Sequence, residues 1–326
     1  MIISQTPYRI SFFGGGTDYR PYFMEHGGSV LSTTINRYCY LTLRRLPPFF
    51  EHDSRLSYSK IELFNTPGEV QHPAVRECLK YMNLRGVSIT HDGDLPARAG
   101  LGTSSAFTVG LLNAMHALKG EFVDPMTLAI EAIRVEQDMI GENVGVQDQM
   151  AAAIGGLNRL YFNADGYDYR PIILKEERRQ RLERSLMLFF TGIFRFASQI
   201  AEEQVKNTND KLTELREMGR LTDEGEKALV SGDVDDFGRL LHESWKLKRS
   251  LSSKISTAEI DLMYQRAREA GALGGKLLGA GGGGFLLFYV EPENQEFVKR
   301  ALKDLLYVPF RIGQMGSRII YSTPEI

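Results

Sequence analysis

The chain has 326 residues, a formal net charge of -2, 43% hydrophobic and 25% charged residues. That length supports two domains with a sizeable core. The near-neutral balance provides no global field for nucleic acid or an anionic membrane, so an anionic substrate needs a local cluster of cations. Cys39 and Cys78 form neither a metal-ligand spacing nor a disulfide framework, which fits packed thiols in a reducing cytoplasm. The first residues lack a basic region followed by a long apolar run, so no signal peptide is expected. No apolar run approaches the ~20 residues of a membrane span.

Residues 2–13 read as a strand running into the Gly14-Gly15-Gly16 turn. Arg9 interrupts this apolar run, either as a surface charge at a strand edge or as a cation held near developing negative charge. Asp18 follows the turn, either as the N-cap of a helix over 19–26 or as a carboxylate for ligand hydroxyls. Residues 29–35 and 38–46 read as paired strands with Asn36-Arg37 as their hairpin turn, ended by Pro47-Pro48. A short strand over 60–64, a helix over 73–82 and a strand over 86–91 follow.

Residues 96–106 are the stretch on which the chain is organised. Gly100 and Gly102 allow a tight turn, and Thr103, Ser104 and Ser105 place hydroxyls at the start of a helix over 104–119. A helix start offers unpaired N–H groups and the positive end of the dipole to phosphate. The loop lacks the Lys-Ser/Thr of a Walker A sequence and the spacing of a dinucleotide fingerprint. Asp124-Pro125 begins a helix over 126–140, whose Glu131, Glu136 and Asp138 read mostly as solvent-face charges. Asp148, between Gln147 and Gln149 and ahead of a small-residue helix over 150–154, is either a working carboxylate or a helix N-terminal one.

Strands are expected over 157–162 and 169–174, and the charged run 175–184 reads as solvated. A boundary near there divides the chain into units 1–180 and 181–326. A strand over 185–191 precedes helical sequence with breaks near Asn207, Gly219 and Gly232. Residues 237–251 are amphipathic and read as core, and 257–270 as a helix. Strands over 273–278 and 285–290 flank a cluster of glycines, Gly279 and Gly281 to Gly284. A helix over 293–306 and a strand over 317–322 complete the second unit. Mixed strands and helices in both halves give an α+β class with two layers per domain.

Three segments together resemble the GHMP kinases: Pro7-Tyr-Arg-Ile-Ser-Phe-Phe-Gly-Gly-Gly-Thr-Asp18, the loop Gly-Leu-Gly-Thr-Ser-Ser-Ala ending at Ala106, and Lys276-Leu-Leu-Gly-Ala-Gly-Gly-Gly-Gly284. The resemblance implies a two-domain GHMP kinase fold, with an N-terminal domain like ribosomal protein S5 and a C-terminal ferredoxin-like domain, the active site lying between them. It also implies ATP and Mg2+ as cofactors and a small-molecule acceptor. On this resemblance the ATP phosphates lie on Ala99, Gly100, Leu101, Gly102, Thr103, Ser104 and Ser105, with Ser104 and Glu136 holding the metal. Asp148 is then the candidate base and Arg9 the cation beside it, while Gly15, Gly16, Thr17, Asp18, Gly281, Gly282 and Gly283 border the substrate.

The segment Gly14-Gly15-Gly16-Thr17-Asp18 departs from the Gly-Glu-His-Thr-Asp of galactokinases. With Gly-Val-Gln-Asp148-Gln it resembles the D-glycero-α-D-manno-heptose 7-phosphate kinases, which phosphorylate an anomeric hydroxyl on the way to GDP-heptose, ahead of fucokinase-like domains. A sensor that binds sugar and ATP without catalysis is the reading of a different class, disfavoured by the intact Asp148, Glu136 and Ser104. The partners implied are ATP and a sugar phosphate, with no nucleic acid or membrane and a homodimer left open. A sugar phosphate needs cations, for which Arg20, Arg195 and Lys248 are the candidates; each also reads as an ordinary exposed charge.

Overall fold

The computed structural model describes residues 1–97, 99–194 and 197–323. Its first sheet is built from β1 (Ile2–Phe13), β2 (Gly28–Arg45), β3 (Ser54–Ser57), β4 (Ile61–Phe64), β5 (Val87–Gly93), β6 (Leu157–Asn163) and β7 (Gly166–Pro171). Between them run α1 (Arg20–His26), α2 (Pro73–Tyr81), α3 (Thr103–Lys119), α4 (Pro125–Ile133) and α5 (Gln147–Ile154). The strand order starts from β1, then β2, β5, β3 and β4, while β6 joins the other half of β2 and carries β7. The run of β1 from Thr6 to Phe13 is wholly buried, because α3 and α5 as well as two later helices pack on it. Arg9 therefore sits in the centre of the molecule rather than at a strand edge.

The expected hairpin at Asn36-Arg37 does not form. β2 is one continuous strand of 18 residues. Its first half pairs with β6 and its second with β5. Two-residue turns need backbone with positive φ, which Asn36-Arg37 does not adopt. The backbone of Asn36 instead pairs with residue 311, whose N–H also donates to Asn36 Oδ1 at 2.6 Å.

The charged run after β7 is also not merely solvated. It forms α6 (Glu176–Ser185), which buries Leu182 and Ser185. Beyond it come β8 (Leu186–Phe190), α7 (Ala197–Lys206), α8 (Leu212–Val230), α9 (Val234–Ser250) and α10 (Ala258–Glu269). Arg178 of α6 donates to Ala228 O, Leu229 O and Gly232 O, satisfying carbonyls that the end of α8 leaves unpaired. The breaks near Asn207 and Gly232 are present, but α8 runs through Gly219 without interruption.

The chain then forms β9 (Ala272–Leu277), β10 (Phe285–Val290), α11 (Gln295–Ala301), β11 (Leu306–Tyr307) and β12 (Arg318–Ser322). The helix expected over 293–306 thus stops early and gives way to β11. The second sheet has the order β11-β8-β10-β9 with every pairing antiparallel, which is the ferredoxin-like order. α9 and α10 cover it around Trp245, Tyr264 and Phe288. β12 does not complete this second unit. It crosses back and pairs antiparallel with β1, Ile2 opposite Ser322, so the chain end seals an edge of the first sheet. Among the described residues no helix is long and apolar enough to cross a membrane.

One helix couples the two sheets. Phe237 of α9 meets Phe12 and Phe13 of β1 edge-on, with ring centroids 5.1 and 5.0 Å apart. Truncating this fully buried ring removes apolar contact on both sides. Phe237→Ala is expected to cost about 3–5 kcal/mol in urea denaturation; a loss below about 1 kcal/mol would mean that α9 does not bridge the sheets through this ring.

Candidate active site

The phosphate-type loop lies between β5 and α3, directly beside β1. Gly100 has φ +81, and a Cβ there would stand 2.4 Å from Leu278 O. Both the left-handed backbone and the close approach of the second glycine cluster exclude a larger residue. The approach is reciprocal, since a Cβ on Gly279 would stand 2.5 Å from Gly100 Cα. Gly102 is the N-cap of α3 and no side chain caps the first turn. The loop is tied to β1 by Arg9 N–H, which donates to Leu101 O at 3.0 Å.

Arg9 and Asp148 form a two-pronged ion pair. Arg9 Nε donates to Asp148 Oδ1 at 2.6 Å and Nη2 to Oδ2 at 2.8 Å, while Nη1 donates to Gly100 O at 2.9 Å. Arg9 is 3% exposed, and the Asp148 side chain, in the first turn of α5, is 25% exposed. The planar guanidinium matches both carboxylate oxygens and fixes their direction. Asp148 opens on a cleft of about 310 Å³ that also takes in the loop, the Gly15-Gly16 turn and the second glycine cluster.

Asp18 lines the same cleft, within electrostatic reach of Asp148. It does not cap α1; Tyr19 holds that position and no side-chain cap forms. Asp18 Oδ1 accepts the Gly16 N–H at 2.9 Å and Oδ2 accepts Gln147 Nε2 at 2.9 Å. Burial raises its pKa, against which both donors work. Two buried lysines face the same space. Lys248 Nζ donates to Gly279 O, and burial, with Arg9 adding, lowers its pKa to about 8. Lys276 Nζ donates to Phe12 O at 2.8 Å; burial, with Lys248 and Arg9 adding, holds it well below the usual lysine range. Lys276 is a cleft residue absent from the expected set, although a lysine in the apolar strand β9 was visible beside the glycine cluster.

Of the two expected metal ligands, Ser104 and Glu136, the carboxylate is hydrogen-bonded to the neighbouring Ser105. Ser104 is exposed at the cleft, whereas Ser105 Oγ is buried and donates to Glu136 Oε2 at 2.9 Å. Successive helical residues point about 100° apart, so only one of the two serines can face Glu136. Glu136 is not a solvent-face charge. It is buried on a π-helical segment that continues α4, Arg134–Ile140, where Gln149 Nε2 also donates to Oε2. Burial pushes the Glu136 carboxyl up to about 7, and its Oε1 is buried without a hydrogen-bond partner. Glu142, not singled out from the sequence, lines the cleft, and burial raises its pKa.

The remaining expected residues divide between the cleft and its surroundings. The Arg20 side chain is 64% exposed and sits 3.8 Å from Asp138 at the surface. Thr17 is buried, its hydroxyl donating to Gly14 O at 2.8 Å and accepting the Ser29 N–H at 3.1 Å, so it braces the turn. Ala99 and Leu101 are fully buried behind the loop. Gly15, Gly16, Gly281 and Gly283 line the cleft, while the Gly282 N–H is held by Ile255 O. Arg195 lies outside the described residues.

The family description "GHMP kinases N terminal domain" matches residues 70–156, and "GHMP kinases C terminal" matches residues 226–308. Over 316 residues the chain is 30% identical to D-glycero-alpha-D-manno-heptose 7-phosphate kinase of Campylobacter jejuni, covering 93% of each protein. The chain belongs to the GHMP kinases. It is therefore a small-molecule kinase of an ATP-dependent family. A galactokinase of Pyrococcus furiosus is 27% identical over 344 residues, covering 92% of each chain. Among solved structures, a D-glycero-D-manno-heptose 1-phosphate kinase from Bacteroides thetaiotaomicron shares the fold with a TM-score of 0.79 at 28% identity, covering 99% of this chain and 100% of that one.

The buried carboxyl of this GHMP kinase has a consequence for stability. Glu136 holds its proton up to about pH 7 when folded but only to its ordinary value of 4.5 when unfolded. Between those values the folded state binds more protons, so stability falls as pH rises. Glu136→Gln removes this dependence. In nucleotide-free urea denaturation the variant should gain on wild type between pH 5 and pH 8, by roughly 1.4 kcal/mol per unit of pKa difference; parallel pH profiles would show that Glu136 does not titrate in that window.

Proposed function

We propose that this GHMP kinase transfers the γ-phosphoryl group of ATP to the anomeric hydroxyl of D-glycero-α-D-manno-heptose 7-phosphate, giving the 1,7-bisphosphate on the route to GDP-heptose. The observation that carries the reading is the pair of buried lysines, Lys248 and Lys276, opening on the same cleft as Asp148. A buried lysine at the cleft, held by a single backbone carbonyl, suits a dianionic acceptor. The heptose phosphate kinase names of the Campylobacter and Bacteroides relatives support a seven-carbon sugar. The division near residue 180 then assigns the phosphate loop and Asp148 to the first unit, and Lys248 with the glycine cluster to the second.

In this reading Gly100, Gly102, Thr103, Ser104 and Ser105, at the start of α3, cradle the ATP phosphates, with Ala99 and Leu101 packed behind them. Asp148, aimed by Arg9, accepts the hydrogen bond of the attacking hydroxyl. As the new P–O bond forms and the bond to the β,γ-bridging oxygen breaks, the hydroxyl proton passes to Asp148 and ADP leaves. Arg9 also supplies positive charge beside the transferring group. Asp18, Gly15 and Gly16 border the sugar.

Mg2+ would be held by the hydroxyl of Ser105 at the cleft lining and by the buried Glu136 carboxylate behind it, whose Oε1 makes no hydrogen bond within 3.5 Å. When bound, the ion neutralises phosphate charge. Ser104 stays with the loop as a phosphate contact. The setting proposed is the cytoplasm.

Asp148→Asn is expected to retain ATP binding and lose on the order of 10²-fold or more in turnover. Near-normal turnover in a coupled ADP assay would remove the base assignment. Lys248→Met should raise KM for heptose 7-phosphate by about ten- to a hundredfold, the worth of a charge-assisted contact, and leave KM for ATP nearly unchanged. Wild type should use dephosphorylated heptose poorly. Equal use of both acceptors would exclude a phosphate subsite and favour a neutral, fucokinase-like acceptor.

A further inference from the structure

We propose that Ser11 and Gln147 form a corner of the acceptor site that reads one sugar hydroxyl, and that Gly15 is a glycine because that hydroxyl occupies the space a side chain would fill. The inference rests on the sugar-kinase reading of the cleft.

Ser11 lies two residues after Arg9 on β1, so both side chains project from the same face of the strand. Ser11 is 5% exposed, lines the cleft, and its Oγ is buried without a hydrogen-bond partner. Gln147 precedes Asp148 at the start of α5 and lines the same cleft. Its Nε2 donates to Asp18 Oδ2 at 2.9 Å, and its Oε1 is buried without a partner. Asp18 fixes which way the carboxamide faces. A carboxylate only accepts, so the NH2 group must turn toward Asp18 and the oxygen away from it. The Gly16 N–H on the other Asp18 oxygen keeps that carboxylate in place.

Gly15 is adjacent to both groups. A Cβ built there would lie 3.7 Å from Ser11 Oγ and 3.7 Å from Gln147 Nε2. These are ordinary van der Waals contacts, unlike the 1.9 Å clash with Ser29 O at neighbouring Gly14. The φ of Gly15 also lies outside the left-handed region. Neither backbone geometry nor protein packing therefore requires a glycine at position 15. A methyl group there would instead stand between the Ser11 hydroxyl and the Gln147 carboxamide, in the corner where Ser11 Oγ and Gln147 Oε1 lack partners. A sugar hydroxyl completes that pair chemically, donating to Gln147 Oε1 and exchanging a hydrogen bond with Ser11 Oγ. The ligand class is a polyhydroxylated acceptor with a free hydroxyl at this position, and the corner selects against its deoxy or O-methyl analogue.

The test uses the full chain with ATP and Mg2+ in a coupled ADP assay against heptose 7-phosphate, fucose and galactose. Ser11→Ala and Gly15→Ala should each raise KM for the acceptor that wild type uses, by about three- to tenfold for one neutral hydrogen bond, with KM for ATP changed less than about twofold. In the absence of ligand, Ser11→Ala should unfold at an equal or higher temperature than wild type, since it removes an unsatisfied buried hydroxyl. A structural role would lower that temperature and affect both substrates. Unchanged acceptor KM in both variants of an active enzyme means that the corner holds water only and overturns this assignment alone. Absence of turnover by wild type on every sugar overturns the sugar-kinase reading, and this assignment with it.

Discussion

The two-pronged ion pair between Arg9 and Asp148 is the interaction on which the site depends. It joins three elements distant in sequence: β1, the loop before α3 through Gly100 O, and the start of α5. Buried as Arg9 is, either partner left alone would be a costly unpaired charge. The pairing therefore constrains where β1, the loop and α5 can lie relative to one another. It also fixes the direction of the Asp148 carboxylate, which lines the cleft, so one contact organises the fold locally and orients a side chain of the candidate site.

Around that pair the cleft gathers opposite charges in a chain whose net charge is only -2. Asp18, Lys248 and Lys276 are all buried within electrostatic reach of one another and of Arg9. Burial pushes each toward its neutral form, and each is held by one or two hydrogen bonds to backbone or to Gln147. An incoming anion changes that balance, because it restores the favourable environment of the ammonium groups. A site of this kind responds to charged ligands without a large net charge on the protein.

The glycine clusters serve a related end by letting backbone approach backbone. Gly100 and Gly279 touch across the junction of the first and second sheets, and side chains on either would force the two apart. Lys276 and Phe237 cross the same junction, one by a hydrogen bond to Phe12 O and the other by ring packing. The cleft is thus bordered by surfaces that are tightly apposed beside it.

Much of this was legible in the chain itself. The strand into Gly14-Gly15-Gly16, the loop at Gly100 and Gly102 and the glycines after Leu278 announce themselves, because tight turns and close backbone approach admit few residue types. Arg9 and Asp148 stood out as charges in unusual local company, and the structure brings them into contact. What the sequence could not decide were the partners. Whether Ser104 or Ser105 meets Glu136 depends on the rotation of α3 against the π-helical segment. Whether Lys276 enters the cleft depends on how the second sheet docks on β1. The continuity of β2 through Asn36, and the return of β12 to β1, rest on hydrogen bonds across some 275 to 320 residues of chain. Local sequence determines which backbone conformations and side-chain chemistries are available; only the packed fold decides which of them face one another, because contact energy is set by distance in space and not by distance along the chain.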